Sequence, residues 1–556
     1  MKRKNQFFTF LLFYLFTFMP LSAQPSWVKK NSKSVFALKT FKADGTLLGS
    51  GVGFFVNEQG DAVSSYAPFK GAARAVVFDA GGKEYEVDYM LGASETYDVA
   101  KFHVAAKKVQ PAAIAASRMP LGSQVWLLPY REVKQVKGGT VRKAETFNSE
   151  YEYYTVDLIM PEGTVGAPLF NEGGEVVGLM QQPSAGDTLS YAVSARFADS
   201  LRIGGLSIND PALRATTIRK ALPNDESQAL LTLYVAGSSL DSLSYVRMLD
   251  DFIAKFPQSQ EGYVYRAQQA ANSLRLSDAD HDMAEALKVA TRPDEVHYSY
   301  SRMVYQTAVL LPKSAGEWTL DKALSEAEAA WQQKPLAIYR QQQGYVLFAQ
   351  KKYDEAYHAY EQVFDSLMLQ PDLYFEASRC KEMMGDTVAQ LQLLDKVVET
   401  FSKPYLKEAA PYLLVRAQAN LEAKNFRKAV TDLNDYEGLM KTQVNDRFYY
   451  IRYQAEMGGR LFQQALNDIN QAIRMQPDEV LYYAERASLQ IRVGYYDDAI
   501  ESARECLRID PNQSDGYLFL GLGQCLKGNK TEGIANLQKA KELGDPQADA
   551  FIEKYQ

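Results

Sequence analysis

Residues 51–66 read GVGFFVNEQGDAVSSY and contain two short apolar runs separated by a polar turn. The first run ends in Phe54, Phe55 and Val56, and Gly60 closes the polar residues before the second run begins. Short apolar runs bounded by turn residues are typical of β-strands. This stretch therefore predicts a strand, a turn and a second strand.

The same pattern extends over the region from about Trp27 to Leu201. Further apolar runs broken by glycine are Val35 to Thr40, Ala75 to Phe78, Val125 to Leu128, Tyr153 to Leu158 and Val176 to Met180. They predict an all-β barrel or sandwich. From about Asp225 glycine thins out, and apolar residues recur at the spacing of helices that bury one face. The fold class therefore changes near residue 205, and residues 205–224, which contain glycine and proline, are predicted to be a linker.

The helical half of the chain repeats itself. Pro477 recurs as Pro511 after 34 residues, and aromatic, turn and small residues recur in register with them. Such a period predicts pairs of helices stacked in an array. The residues expected to pack the repeats are Tyr483, Gly494, Tyr496, Ala499, Pro511, Tyr517, Gly521 and Gly528.

These residues resemble the tetratricopeptide repeat, in which a small residue lets two helices approach closely and a proline ends the pair. The resemblance implies an all-α solenoid of tetratricopeptide repeats over 335–556. Weaker helix pairs over 225–334 are expected to be divergent repeats. An array of this kind implies a protein or peptide partner in the groove of the helical repeats, without indicating which one.

The opening stretch resembles the start of HtrA-like, trypsin-fold serine proteases. In that family it leads to the catalytic histidine, whose place is taken here by Ala67. The segment from Tyr97 to Phe102 resembles the one that bears the orienting aspartate, so Asp98 takes that position. The loop from Gly163 to Leu169 resembles the nucleophile loop, with Val165 at the position of the serine.

The resemblance implies a trypsin-like double β-barrel over 24–204, but one with a degenerate triad. The protease mechanism needs an attacking hydroxyl, an imidazole that accepts its proton, and a carboxylate that orients the imidazole. The side chains of Ala67 and Val165 supply neither hydroxyl nor imidazole. His103, the only histidine of this region, follows Asp98 by five residues on one predicted strand and is interpreted as structural. No catalytic residue, cofactor or metal site is therefore expected.

The first residues predict export. Basic residues 2–4 precede an apolar run at 7–19, and small residues before Gln24 offer a cleavage site. The run is shorter than the ~20 residues of a membrane span, although an uncleaved anchor helix remains the alternative. A signal peptide over 1–23 is predicted, followed by a soluble periplasmic or extracellular protein with at most indirect membrane contact.

Composition narrows the choice of function. The chain has 556 residues, 46% hydrophobic and 23% charged, with a formal net charge of -7. These values favour folded protein and indicate no basic face, so no nucleic-acid partner is expected. A small-molecule substrate is not expected either. Its three cysteines, Cys380, Cys506 and Cys525, make no disulfide framework. They are interpreted as buried apolar groups, with a bridge between Cys506 and Cys525 as the alternative.

Together these features predict an exported, non-catalytic pseudoprotease that acts as a protein-binding scaffold in a cell-envelope complex. Two alternatives remain open at this point. One is an active trypsin-like serine endopeptidase that recruits substrates through its repeats. In the other, the β-domain only caps the first repeat of the array.

Overall fold

The computed structural model describes residues 25–132, 136–147, 150–183, 189–366 and 370–556. The chain divides into two compact units, Met1–Gln269 and Ala270–Gln556. The predicted signal peptide, 1–23, lies outside the described residues. Within the described part of the chain, no helix is both long and apolar enough to cross a membrane.

The first unit opens with two closed, six-stranded antiparallel barrels. A short helix, α1 (Val28–Asn31), precedes them. The first barrel contains β1 (Val35–Phe41), β2 (Leu47–Phe55), β3 (Asp61–Ser64), β4 (Arg74–Phe78), β5 (Glu84–Ser94) and β6 (Val99–Val104), in the order β1-β2-β3-β6-β5-β4. The second contains β7 (Gln124–Leu127), β8 (Lys137–Phe147), β9 (Tyr151–Val156), β10 (Pro168–Phe170), β11 (Val176–Met180) and β12 (Ser190–Ser194), in the order β10-β11-β12-β9-β8-β7.

Aromatic side chains fill the first barrel. The rings of Phe36 and Phe55 lie 4.8 Å apart, and Phe102 packs on Phe36 at 6.1 Å. Gly53 is needed beside them, because a Cβ there would lie 2.6 Å from the ring of Phe36. The two short runs of 51–66 thus become β2 and β3, as predicted. Phe55 and Ala62 join the core of the first barrel, whereas Val52, Phe54 and Val63 pack in a cluster with residues of the second barrel.

Residues 205–224, which we call the connecting segment, run along the first barrel. After α2 (Phe197–Ser200) they contain a 3-10 turn (Ser207–Asn209) and α3 (Pro211–Arg214). The backbone N–H of Met90 in β5 donates to the carbonyl of Arg219 at 2.7 Å, and the N–H of Ala221 donates back to the carbonyl of Met90 at 2.9 Å. These bonds attach the connecting segment to the outer edge of β5.

Helices make up the rest of the chain. The first unit ends with α4 (Glu226–Ala236), α5 (Ser242–Lys255) and α6 (Gln260–Asn272), the last of which crosses the boundary between the units. The second unit continues with α7 (Leu276–Val289), α8 (Pro293–Leu310), α9 (Leu320–Gln333), α10 (Ala337–Ala349), α11 (Tyr353–Glu361), α12 (Gln370–Met383), α13 (Thr387–Glu399), α14 (Ala410–Glu422), α15 (Phe426–Met440), α16 (Asp446–Gly458), α17 (Phe462–Met475), α18 (Val480–Val493), α19 (Tyr496–Ile509), α20 (Ser514–Leu526), α21 (Lys530–Glu542) and α22 (Ala548–Tyr555). The predicted fold class, an all-β double barrel followed by an all-α repeat array, is confirmed.

Small residues lie where the paired helices touch. Ala499 of α19 is fully buried. In the next pair a Cβ on Gly521 would lie 2.8 Å from the carbonyl oxygen of Gly533, so only glycine fits between α20 and α21. Gly494 ends α18 with a φ of +86°, a left-handed conformation that glycine adopts without strain.

The other predicted packing residues take several positions. Tyr483 is 8% exposed, whereas Tyr496 and Tyr517 are half-buried. Pro511 lies in the exposed turn before α20, and Gly528 follows α20 with a φ of +95°. All three cysteines are free and buried, so the alternative bridge between Cys506 and Cys525 is not formed.

Three arginines, the buried Arg452 and the half-buried Arg416 and Arg486, form what we call the arginine ladder. Arg416 of α14 donates to Asp432 of α15 at 2.7 and 3.0 Å and to Asp395 of the preceding α13 at 2.9 Å. Each arginine thus joins its own helix pair to the helix before that pair.

The other two members bond in the same way. Arg452 of α16 bonds to Asp468 of α17 and to Glu437 of the preceding α15, each at 2.6 Å. Arg486 of α18 bonds to Ser502 of α19 and to Asn470 of the preceding α17. Ladder contacts therefore run from α13 to α19.

Candidate functional site

Two of the three predicted triad positions, Ala67 and Asp98, meet through a hydrogen bond. Ala67 begins a 3-10 turn (Ala67–Phe69) just after β3, and Asp98 lies in the turn between β5 and β6 with a φ of +49°. The Asp98 carboxylate accepts a hydrogen bond from the backbone N–H of Ala67 at 2.8 Å. Burial raises the pKa of Asp98, and hydrogen bonds from the backbone of Ala67 and Tyr66 oppose that rise. The carboxylate is thus engaged with main chain.

The loop that carries Val165 is held against the first barrel. The backbone N–H of Val52 in β2 donates to the Val165 carbonyl at 2.9 Å, and the N–H of Gly166 donates to the Met180 carbonyl at 2.8 Å. Gly166 has a φ of +80°, and a Cβ there would lie 2.3 Å from the carbonyl oxygen of Val52. Glycine is therefore required at the closest approach of the loop to β2.

The third position joins the other two around Gly51. A Cβ built on Gly51 would lie 3.5 Å from the carbonyl oxygen of Val165, 3.6 Å from Cγ of Pro68 and 3.7 Å from Oγ of Ser65. The Val165 loop and the turn that starts at Ala67 therefore border the same small space. The structure brings together all three chain segments that the sequence pointed to.

Most of the hydroxyl groups near the three predicted triad positions already donate a hydrogen bond. Thr164 donates its hydroxyl to the carbonyl of Pro161 at 2.6 Å, and Ser64 donates to the carbonyl of Val52 at 2.7 Å. Ser65 is buried, and its Oγ has no hydrogen-bond partner among the described residues. The sequence shows two adjacent serines but gives no sign that only one of them is satisfied.

His103 lies at the far end of its strand pair. Its Nδ1 is 2.9 Å from Oδ1 of Asp61, and its ring stacks on Tyr89 at 4.8 Å. In the pairing of β3 with β6, Asp61 is opposite His103 and Ser64 is opposite Ala100. Three residues along a strand are about 10 Å, so His103 is out of hydrogen-bonding reach of the Ser64–Ala100 end of the pair.

A cavity of about 260 Å³ lies next to the turn that carries Asp98. It is lined by Thr96, Tyr97, Glu145, Thr146, Tyr153, Gln181 and Val193. Burial raises the pKa of Tyr153, and the nearby charges of Tyr191 and Asp98 add to that effect. The wall is thus formed by aromatic, amide and hydroxyl groups rather than by a cluster of charges.

Within the described parts of the chain, no three histidine, cysteine or acidic side chains are grouped so as to hold a metal ion. The site as a whole has one titratable group at the three triad positions, the Asp98 carboxylate.

Comparisons with known proteins show that this chain is similar to two kinds of protein. Residues 51–179 match the family model described as a trypsin-like peptidase domain. The chain is 29% identical over 101 residues to the small glutamine-rich tetratricopeptide repeat-containing protein 2 of Saccharomyces cerevisiae, which is 18% of this chain and 29% of that protein. It is 30% identical over 96 residues to the SGT1 homolog of Bos taurus, which is 17% of this chain and 28% of that protein. The chain thus spans less than a third of the length of these curated relatives.

A solved structure is also similar. The Rv3671c protease from M. tuberculosis, in its active form, aligns with a TM-score of 0.30 and 18% sequence identity. The alignment covers 37% of this chain and 88% of that protein's chain.

Proposed function

Because this chain joins a trypsin-like peptidase domain to tetratricopeptide repeats, we propose that it is an exported pseudoprotease whose repeats bind another protein. One observation carries the non-catalytic part of this proposal. Of the three triad positions only Asp98 has a titratable side chain, and that side chain accepts a hydrogen bond from the backbone of Ala67. It therefore serves the local fold of the turn rather than an imidazole.

The described neighbouring hydroxyl groups are poorly placed to replace the missing imidazole and hydroxyl. Thr164 and Ser64 donate their hydroxyls to main-chain carbonyls, so neither is free to attack a substrate. Ser65 has an unpartnered hydroxyl, but the one titratable side chain at the three triad positions, Asp98, is bonded to the backbone of Ala67, and no imidazole stands there to accept a proton. We therefore propose that the barrel domain cleaves no peptide bond.

The test uses the full chain with a serine-reactive phosphonate and a casein substrate. We expect neither labelling of the protein nor cleavage of casein, with an active trypsin-like protease as the positive control. Ser65→Ala and Thr164→Ala variants are run beside the unmodified protein. Labelling that disappears in either variant would show that the chain is an active endopeptidase with an unconventional nucleophile.

For the repeats, we propose that the partner is a protein or peptide bound along the first helices of the pairs. Exposed apolar side chains occur there: Leu414 of α14 is 38% exposed and Leu481 of α18 is 40% exposed. Exposed apolar side chains on a folded surface favour contact with another protein.

Photo-crosslinking tests which helices the partner touches. The residue p-benzoylphenylalanine is placed at Leu414 or Leu481, and at the exposed positions Thr431 of α15 and Arg504 of α19 as matched controls on second helices. We expect a crosslinked partner from the first pair of positions only. Crosslinks from the controls alone would place the partner on the opposite face and contradict the proposed groove.

Export is proposed from the basic residues at 2–4 and the apolar run at 7–19. Fractionation of cells and sequencing of the mature N-terminus test it. We expect a soluble periplasmic or extracellular protein that starts at Gln24. A full-length chain in the membrane fraction would show that the segment is an anchor instead.

A capping role for the barrels has specific support within the first unit. The N–H of Gly205 donates to the side-chain carbonyl of Gln228 in α4 at 2.9 Å, and Arg219 forms an ion pair with Asp251 of α5. The connecting segment, which is attached to β5 of the first barrel, thereby covers part of the first helices. Deletion of residues 24–204 separates the two functions, because a pure cap predicts full partner binding with poor solubility, whereas a second binding surface predicts weakened binding.

A further inference from the structure

The connecting segment places one lysine, Lys220, in a fixed position. Its neighbours Arg219 and Ala221 both hydrogen-bond to Met90 of β5, and Lys220 itself forms an isolated parallel bridge with Met90. The backbone of Lys220 is therefore held on both sides. The other end of the side chain is held as well, because Nζ donates a hydrogen bond to the carbonyl of Thr216.

The amine of Lys220 has only a neutral partner. Its Nζ donates to the carbonyl oxygen of Thr216 at 2.5 Å, and no carboxylate in the described parts of the chain pairs with it. Burial lowers the pKa of Lys220 to about 8. A substantial fraction of the amine is therefore neutral near pH 7.5, and a neutral amine is the nucleophilic form of lysine.

A cavity of about 340 Å³ opens beside this amine, between the connecting segment and α5. The charged groups that face it with Lys220 are Arg214, Arg219, Arg247, Asp241 and Asp251. Each carboxylate already has a partner: Asp251 pairs with Arg219, and Asp241 accepts the N–H of Ser244 at 3.0 Å.

Two of the cationic side chains that line the cavity have no acidic partner. No acidic side chain of the described residues forms an ion pair with Arg214 or Arg247. Guanidinium groups bind carboxylates and phosphates through paired hydrogen bonds. The cavity thus combines an amine suited to attack a carbonyl with two groups suited to hold an anion.

We propose that this cavity is a covalent binding site for a small anionic aldehyde, in which Lys220 supplies the amine and Arg214 and Arg247 hold the negative group. The nitrogen lone pair of the neutral amine forms a bond to the aldehyde carbon, and the carbonyl π electrons move to oxygen, which takes a proton. The resulting carbinolamine loses water as the C=N bond of an imine forms, and the nitrogen proton leaves to solvent. No oxidant or reductant takes part.

The probe for this site is pyridoxal 5′-phosphate, an aldehyde with a phosphate group, applied to the full chain and trapped with cyanoborohydride. Peptide mapping by mass spectrometry then identifies the modified lysines. We expect Lys220 to react roughly ten-fold or more faster than an ordinary exposed lysine at pH 7.5, because far more of its amine is neutral at that pH. The rate at Lys220 should reach half its maximum near pH 8.

Lys255 provides the matched control. It is the last residue of α5, and its Nζ donates to two oxygens of the connecting segment, the carbonyl of Leu222 at 2.7 Å and the side-chain oxygen of Asn224 at 2.8 Å. Lys220→Arg should abolish the rapid labelling while keeping the positive charge, whereas Lys255→Arg should leave it unchanged. The unmodified protein alone can also overturn the proposal. It does so if labelling is spread evenly over the exposed lysines, or if Lys220 is not labelled.

The anionic part is tested separately. Pyridoxal without phosphate should label Lys220 at least ten-fold more slowly at low concentration, and Arg247→Gln should remove most of the advantage of the phosphate. Equal rates with the two aldehydes would show that the arginines do not select an anion. This outcome would overturn the proposed ligand class.

Discussion

Replacing Glu456 with glutamine should remove a large pH dependence from the stability of the repeat array. Glu456 lies in α16 and is 3% exposed, and its Oε2 has no hydrogen-bond partner within the described chain. Burial, followed by the negative charge of Asp468, raises the pKa of Glu456 to about 8. Arg452 opposes this rise, but its guanidinium is already bonded to Asp468 and Glu437.

The direction of the effect follows from proton binding. In the unfolded chain the carboxyl ionises near its ordinary pKa of 4.5, whereas in the folded chain it stays protonated up to about pH 8. The stability that Glu456 contributes is therefore fully present below pH 4.5 and is lost as the pH rises through 8. At about 1.4 kcal/mol for each pH unit, the expected loss between pH 5.5 and 8.5 is about 3 kcal/mol.

Urea unfolding of the full chain at pH 5.5 and pH 8.5 measures the change. Hydrogen exchange of the α16 and α17 amides, corrected for the intrinsic effect of pH, assigns it to this part of the array. Glu456→Gln should lose most of the difference between the two pH values, because a neutral amide does not titrate.

Glu399→Gln, at an exposed position of α13, is the control and should behave as the unmodified protein does. The same pH dependence in the Glu456→Gln variant would refute the reasoning. So would equal exchange of the α16 amides at both pH values in the unmodified protein.

Further expected outcomes concern packing and the triad positions. Gly521→Ala should lower the free energy of urea unfolding by about 1–3 kcal/mol, because the new Cβ would meet the backbone of α21. Gly438→Ala, at a position of α15 with open space around it, should raise the same free energy by about 0.5–1 kcal/mol. The double variant Ala67→His, Val165→Ser should be labelled by the phosphonate about ten-fold or more faster than either single variant, since triad members act as a unit. An equal labelling rate would refute the convergence of these segments. Asp98→Asn should change the free energy of unfolding by no more than about 0.5 kcal/mol at pH 7, because asparagine still accepts the Ala67 N–H. Asp98→Ala should lower it by about 1–2 kcal/mol. Equal losses for the two variants in calorimetry would contradict this role of Asp98.

Local sequence patterns predict much of the fold. The apolar runs around Gly53 and Val63 form β2 and β3, because short runs between turns leave a strand as the structure that buries them. The 34-residue interval predicts the helix pairs, since small residues such as Ala499 must recur wherever helices touch. Both signals lie in residues close together in the chain.

The arginine ladder could not be predicted from helical periodicity, which assigns charged residues to the solvated face. Arg416 is half-buried and Arg452 is buried because Asp432 and Asp468, each 16 residues later, supply a carboxylate at the adjoining helix. A signal was present in that repeated interval. It becomes visible only when the pairs are compared across repeats.

The candidate sites depend on contacts between distant residues. The sequence predicts only a linker for the connecting segment, whereas Arg219 and Ala221 bond to Met90, more than 120 residues earlier. Composition carries no information on that pairing, and so it could not point to Lys220. The orphan hydroxyl of Ser65 is hidden for the same reason, because the Val165 loop that borders it comes 100 residues later.

The arginine ladder also divides the array by the kind of contact that joins neighbouring pairs. Leu520 stands 34 residues after Arg486, where a fourth arginine would continue the series, and it is buried among Ala487, Ala503 and Phe519. This joint therefore rests on apolar side chains, whereas ion pairs fasten α14 and α16 to their neighbours. A drop in pH that neutralises the carboxylates of those ion pairs would therefore loosen the pairs from α14 to α17 and leave the Leu520 joint as it is.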